Sequence, residues 1–318
     1  MIIAAGTSVF INQMNKVLDK ESLIIGTDIG GTHITCALVD LANDCAVHGS
    51  RVRMLVNPND SADEILEIWV AAIKKVIDQS PIFSGKIGIA MPGPFDYAEG
   101  ISLIKGMHKY ESLYGLNIRN ILSQRLDLRP ENIIFRNDAE AFLHGEVFCG
   151  AAKGYSNAFG VTLGTGLGSA LSVERVTTDA NLAISPLYSG IAEDYISTRW
   201  FLKRYQELTG ENIRDVKSLT SLTNQAIALK IFSEFSVNLA CFLNGLTWEV
   251  KPEIIVIGGN ITKAHGFFWS EFKLALDENL RDVVFSKTKL WEDAALVGAA
   301  CCFWEANLVS VFSRNVGN

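Results

Sequence analysis

Three short glycine-rich segments each follow an apolar run in this sequence. They are Gly30-Gly31-Thr32, Gly164-Thr165-Gly166 and Gly258-Gly259-Asn260. Glycine lets backbone N–H groups approach an anion without a Cβ in the way, and threonine hydroxyls add further donors. Each segment is therefore suited to hold a phosphate group. A Gly-Gly pair after a strand is also typical of a plain hairpin turn, so one such segment alone is weak evidence.

Two aspartates, Asp28 and Asp138, lie at the ends of predicted strands. Asp28 comes two residues before Gly30. A carboxylate next to a phosphate is repulsive unless a cation separates them, which indicates Mg²⁺ held largely through water. Asp138 follows Asn137 where a predicted strand gives way to a helix, at the kind of strand end where ligands of open α/β sheets bind. Because Asp and Asn are also preferred helix N-caps, both a catalytic and a capping role remain open for Asp138.

The predicted elements place these residues on loops that follow strands. Apolar runs predict strands at residues 23–29, 33–39, 51–56, 86–91, 132–135, 158–163, 168–173 and 254–257. Helical spacing predicts helices at 65–77, after a capping box at Ser61–Glu64, and at 116–126, 198–208 and 228–246. In each half a glycine-hinged strand pair comes first, and helices and strands then alternate. This repetition indicates two related α/β domains with a cleft between them.

Composition and motifs exclude several classes of protein. The net charge of −7 and the lack of a basic block argue against a nucleic-acid partner. The six cysteines form no CxxC pair, which indicates a reduced, cytoplasmic protein. The longest apolar run falls short of the roughly 18 residues that cross a membrane. The chain has no GxxxxGK[ST] phosphate loop, and Ser169 stands where the dinucleotide motif GxGxxG needs glycine.

Taken in order, the motifs resemble those of the ROK family (repressors, open reading frames, kinases) of the sugar kinase, heat-shock and actin superfamily. The resemblance runs from Leu23 to the C-terminus and rests on Asp28–Thr32, Met91–Pro94, Asn137–Ala139, Gly160–Gly168, Ile257–Asn260 and Asp293–Ala300. It implies two actin-like (ribonuclease H-like) ATPase domains that flank a nucleotide and sugar cleft. We expect an N-terminal domain at 22–138 plus 303–318 and a C-terminal domain at 139–302.

The resemblance also implies an activity, the ATP-dependent phosphorylation of a sugar hydroxyl by a glucokinase-like hexose or amino-sugar kinase. Asp138 would be the catalytic base, and Gly93, Asn137 and Glu193 would contact the sugar, with Glu193 near its anomeric end. The three glycine segments would bind ATP, and Asp28 would bind Mg²⁺.

Two departures from the family pattern limit this assignment. Residues 179–190 contain neither the cysteine-rich zinc motif nor the Glu-x-Gly-His sugar contact of many relatives. We therefore expect no zinc, and the identity of the sugar and of its reacting hydroxyl stays open. Only 22 residues precede the first strand, whereas a repressor's winged helix takes roughly 60 or more, so we do not expect DNA binding.

The rival interpretation is a non-catalytic sugar or nucleotide sensor on the same fold. An enzyme is favoured over a sensor by the retention of Asp28, Thr165 and Asp138, because a protein that only binds its ligand needs no catalytic base. A hydrolase or an acyl-phosphate-forming kinase is a weaker alternative among enzymes. The sequence leaves the oligomeric state open, with a homodimer as one option.

Overall fold

The computed structural model describes residues 23–315 apart from positions 44, 81–82, 108 and 224. The chain divides into two compact units. The first unit ends at Cys149 and resumes at Asp293, and the second spans Gly150–Glu292. The second unit is thus an insertion in the sequence of the first.

The strands lie at the following positions: β1 (Leu23–Ile29), β2 (His33–Asp40), β3 (Cys45–Ala46), β4 (Val52–Leu55), β5 (Ile87–Met91), β6 (Phe95–Asp96), β7 (Ile101–Ser102), β8 (Ile133–Asn137), β9 (Ala158–Leu163), β10 (Leu167–Val173), β11 (Val176–Asp179), β12 (Pro186–Leu187), β13 (Gly190–Ile191), β14 (Ile254–Gly258) and β15 (Val284–Lys287). The helices are α1 (Ala62–Asp78), α2 (Ile118–Leu126), α3 (Asp138–Cys149), α4 (Ala192–Ile196), α5 (Thr198–Thr209), α6 (Val216–Thr220), α7 (Gln225–Asn244), α8 (Trp269–Leu274) and α9 (Ala294–Asn315).

The main sheets of the two units share one topology. In the first unit the strand order is β3-β2-β1-β5-β8, with β4 also paired to β2, and in the second it is β11-β10-β9-β14-β15. In both, a hairpin supplies the antiparallel pair, and two parallel strands continue the sheet. The expected repetition of an α/β arrangement is confirmed.

Local sequence signals fix helix α1 in the first unit. Ser61 caps the helix, and Glu64 accepts a hydrogen bond from the Ser61 N–H at 3.0 Å, which completes the predicted capping box. The helix buries Ile65, Trp69 and Ile73 completely against the sheet's apolar core. The predicted helix is therefore present and begins three residues earlier than the apolar pattern alone indicates.

Helix α9 packs unusually close to the backbone of the first unit. A Cβ on Gly298 would overlap the carbonyl group of Ala141 in α3, and one on Gly88 in β5 would overlap the carbonyl group of Ala299. Glycine at these positions lets helix and strand backbones touch. The division into units accordingly leaves α3 and all of α9 with the first unit, whereas the expected boundaries assign residues 139–302 to the second domain.

An aromatic cluster forms much of the core of the second unit. Phe201 of α5 packs against Phe232 and Phe235 of α7, and Phe268 packs against the same two rings. Within the described residues, α7 is long and apolar enough to cross a membrane by length and composition. More than half of its apolar window is buried inside the unit, which is the pattern of a core helix.

Candidate active site

Parallel strands bring four of the predicted site residues to one edge of the first sheet. Asp28 pairs with Ala90, and Met91 pairs with Asn137, so β1, β5 and β8 end side by side. Asp28 therefore lies near the loop that contains Gly93, which follows β5, and near the start of α3, which follows β8. The strand ends single out Asp28 and Asp138, whereas the roles of Gly93 and Asn137 at a sugar come from the family resemblance and stay predictions.

Asn137, and not Asp138, caps helix α3. The Asn137 Oδ1 accepts hydrogen bonds from the backbone N–H groups of Ala139 at 2.9 Å and Glu140 at 3.2 Å. Asp138 is the first helical residue, is exposed, and accepts a bond from the Ala139 N–H at 2.9 Å. The N-terminal turn of a helix favours a negatively charged carboxylate. The capping role considered for Asp138 thus belongs to its neighbour.

Tyr97 also reaches this edge, although no motif in the sequence predicted it. Its hydroxyl donates to the Met91 carbonyl at 3.0 Å and accepts from the Asn137 Nδ2 at 3.3 Å. Tyr97 lies in the loop between β6 and β7, outside the glycine segments and strand ends from which site residues were predicted. No local signal marks it, because its partners are brought close only by the pairing of β5 with β8.

The first glycine segment closes the β1–β2 hairpin. The Gly30 N–H donates to the His33 carbonyl at 2.9 Å, while Gly31 and Thr32 are exposed at the tip. The buried hydroxyl of Tyr110 donates to the Gly30 carbonyl at 2.6 Å. Burial, with a smaller contribution from the charge of Asp28, raises the pKa of Tyr110 well above its usual range. Tyr110 therefore stays protonated and holds the backbone of the segment in place.

The second and third glycine segments lie next to each other in the second unit. Strands β9 and β14 are parallel neighbours, with Gly258 paired to Thr162, so both segments extend from one sheet edge. Gly259 has a φ of +85°, and a Cβ there would overlap the backbone of Leu163. Only glycine allows this left-handed conformation together with the close approach. Asn260 then begins a 3₁₀ helix that runs to Phe267.

Glu193 lies against the second glycine segment. Its Oε2 accepts a hydrogen bond from the Leu167 N–H at 2.9 Å, and a Cβ on Gly166 would overlap this oxygen. Its Oε1 forms an ion pair with Arg199. The residue expected to contact the sugar and a segment expected to contact ATP are therefore neighbours within one unit. No sequence motif predicted Arg199, which lies six residues further along the chain in the first turn of α5.

The described residues contain no cluster of three or more His, Cys, Asp or Glu side chains arranged to hold a metal ion. The absence of zinc remains a prediction. A water-rich Mg²⁺ site needs only one or two protein carboxylates, so Asp28 fits that requirement.

Comparisons with known proteins support one family. The chain is 28% identical over 291 residues to the N-acetylgalactosamine kinase AgaK of Shewanella sp. (strain ANA-3), covering 79% of this chain and 91% of the relative. Its fold matches the ROK hexokinase of Thermus thermophilus with a TM-score of 0.74 at 19% identity, over 90% of this chain and 99% of that one.

A glucokinase from Streptomyces griseus, solved in complex with glucose and AMPPNP, matches with a TM-score of 0.70 at 21% identity, over 87% and 98% of the two chains. These likenesses confirm the expected actin-like α/β fold. The ROK family model matches residues 24–177 and 188–306. The chain therefore belongs to the ROK family.

Proposed function

We propose that this protein is an ATP-dependent kinase that phosphorylates a hydroxyl group of a hexose or amino sugar. The observation that carries the proposal is the grouping of Asp28, Gly93, Asn137 and Asp138 at one sheet edge. A carboxylate beside a phosphate-binding turn and a second, exposed carboxylate at a helix start match the needs of phosphoryl transfer to an alcohol. The similarity to an N-acetylgalactosamine kinase and to glucose-binding ROK enzymes supports a sugar as the acceptor.

In this mechanism Asp138 accepts the proton of the sugar hydroxyl. The hydroxyl oxygen forms a bond to the γ-phosphorus of ATP as the bond between that phosphorus and the β,γ-bridging oxygen breaks, and ADP leaves. Asp138 lies in the N-terminal turn of α3, where a negatively charged carboxylate is favoured. Asn137 and the Gly93 loop orient the sugar from the same edge. Glu193 contacts the sugar near its anomeric carbon.

The three glycine segments bind ATP through backbone donors. In the second segment the Gly164 N–H donates to the Gly166 carbonyl at 3.0 Å, and the Leu167 N–H donates to Glu193. We therefore assign phosphate binding there to the N–H groups of Thr165 and Gly166 and to the exposed Thr165 hydroxyl. Asp28 would hold Mg²⁺, and the bound ion would neutralise charge on the phosphates during transfer.

We infer a cytoplasmic location and no nucleic-acid partner. The net charge of −7 and the buried state of the most apolar helix support these two inferences. The non-catalytic sensor remains the alternative, and it needs no exposed carboxylate at Asp138.

Sugar-dependent release of ADP tests the proposal. MgATP and a panel of hexoses, amino sugars and N-acetyl sugars would be supplied to the purified protein, with N-acetylgalactosamine and glucose included. We expect ADP release that requires one of these sugars. Tight binding of sugar or nucleotide without any sugar-dependent release would instead support the sensor.

A further inference from the structure

We propose that Tyr97 is a positioning residue of the sugar site, whose hydroxyl fixes the Asn137 amide and the Met91 backbone at the start of the Gly93 loop. The inference rests on the proposed function, since it assigns Asn137 and Gly93 to sugar binding. It concerns a residue that takes part in no motif.

The orientation of the Asn137 amide follows from its hydrogen bonds. Oδ1 accepts from the N–H groups of Ala139 and Glu140, so Nδ2 points away from helix α3. One Nδ2 proton goes to the Tyr97 hydroxyl at 3.3 Å. The second amide proton then has a fixed direction in which to donate to a sugar hydroxyl.

Tyr97 can hold this amide because its own position is fixed. Its hydroxyl donates to the Met91 carbonyl at 3.0 Å, and Arg119 Nη2 donates to the Tyr97 carbonyl at 3.0 Å. Its ring packs against Phe95 with centroids 5.3 Å apart. The hydrogen bonds from Asn137 to Tyr97 and from Tyr97 to Met91, called the relay below, therefore join the ends of β5 and β8 beside Asp138.

The same hydroxyl accounts for glycine at position 93. A Cβ on Gly93 would lie 3.3 Å from the Tyr97 oxygen, which is closer than such contacts usually are. A side chain at this position would require the hydroxyl to shift by a few tenths of an ångström, which would lengthen its hydrogen bonds. The Tyr97 oxygen thus bonds one of the two residues assigned to sugar binding at this edge and lies against the other.

Tyr97→Phe removes this oxygen and keeps the ring. Losing one hydrogen bond that orients a binding group should raise the sugar KM about 3- to 10-fold. The kcat and the KM for ATP should stay within about twofold, because the lost contact serves sugar binding in ground and transition states alike. Tyr114→Phe is the matched control, since Tyr114 is 52% exposed, and it should leave all constants unchanged.

Gly93→Ala provides a second, independent variant. It should raise the sugar KM in the parent but add little in the Tyr97→Phe background, because the hydroxyl that it displaces is already gone. An unchanged sugar KM in both single variants would overturn the proposal. So would a Tyr97→Phe variant in which the sugar KM, the ATP KM and the unfolding temperature all change together, since that pattern indicates a general structural role.

Nuclear magnetic resonance separates this proposal from the proposed function. In the sugar-free protein, the Asn137 side-chain amide signals should shift and exchange faster with solvent in Tyr97→Phe than in the parent. An unchanged Asn137 signal would refute the relay. If the parent protein releases no ADP in response to any sugar, the kinase assignment is refuted. The hydrogen bond between Asn137 and Tyr97 would still be tested by the Asn137 amide signals.

Discussion

The Glu193 carboxylate accepts a hydrogen bond from the Leu167 backbone N–H at 2.9 Å and occupies the space that a Cβ on Gly166 would need. Its other oxygen pairs with Arg199. One carboxylate thus ties helix α4 to the turn between β9 and β10. A movement of that turn must be accompanied by a movement of Glu193.

Gly166→Ala should therefore disturb the site through Glu193. The new methyl group would displace the flexible carboxylate and break its bond to Leu167, so we expect a rise in the sugar KM of about tenfold with little loss of stability. Gly266→Ala is the matched control, because a Cβ there meets no atom within 4 Å. Identical kinetics for the two variants would contradict the proposed role of Glu193.

Asp138→Asn separates catalysis from helix capping. Because Asn137 carries the cap, this change should leave the unfolding temperature unaltered. The amide cannot accept the sugar's proton, so turnover should fall by ~100-fold or more. MgATP binding, measured by calorimetry on the same preparation, should stay close to that of the parent. A variant that retains a comparable rate on the best sugar would remove Asp138 from the mechanism.

Tyr110→Phe tests the first glycine segment. The hydroxyl donates to the Gly30 carbonyl at 2.6 Å from a fully buried position. Its loss should loosen the Gly30–Thr32 backbone and weaken ATP binding by about 3- to 10-fold. The affinity for sugar in the absence of nucleotide should not change. If the variant binds ATP as the parent does, the segment does not depend on this bond.

Gly298→Ala tests the packing of α9. Alanine favours a helix over glycine by up to about 1 kcal/mol. The new methyl group would nevertheless overlap the Ala141 carbonyl group, and backbone cannot move aside as a side chain can. Overpacking of this kind typically costs about 1–3 kcal/mol, so we expect a net loss of stability. Chemical denaturation that gives the parent's midpoint would show that α3 and α9 separate without cost.

Elemental analysis tests the predicted absence of zinc. Residues 179–190 contain no cysteine or histidine, and we expect no stoichiometric zinc in the purified protein. One zinc per chain, retained through dialysis against a chelator, would contradict this.

The sequence predicted the parts of the site that depend on local signals. Glycine after an apolar strand is visible in the sequence, so the turns at Gly30 and Gly164 were located correctly, as was the junction of β8 with α3 at Asn137. Tyr97, Tyr110 and Arg199 were missed. Tyr110 lies 80 residues from the Gly30 carbonyl that it contacts, and such a contact is decided by strand pairing and loop packing.

Strand β15 was missed for a similar reason. Val284–Lys287 is short and only partly buried, and it becomes a strand because β14 offers it a parallel partner. Residues Asp293–Ala300 at the start of α9 were matched to the family from the sequence, but the close contact of α9 with Gly88 was not predicted. That contact joins Gly88 to Ala299, which are far apart in the sequence.

The position of α9 has a consequence for how the protein is made. A ribosome synthesises β1 and β5 before the whole second unit and α9 after it. Because synthesis proceeds at about 5–20 residues per second, the face of the first sheet that contains Gly88 stays uncovered for tens of seconds until α9 is made. The second unit is contiguous in sequence and can fold as it emerges. The newly made first part of the first unit therefore exposes this face until α9 is made, and premature termination before Ala294 would leave it exposed permanently.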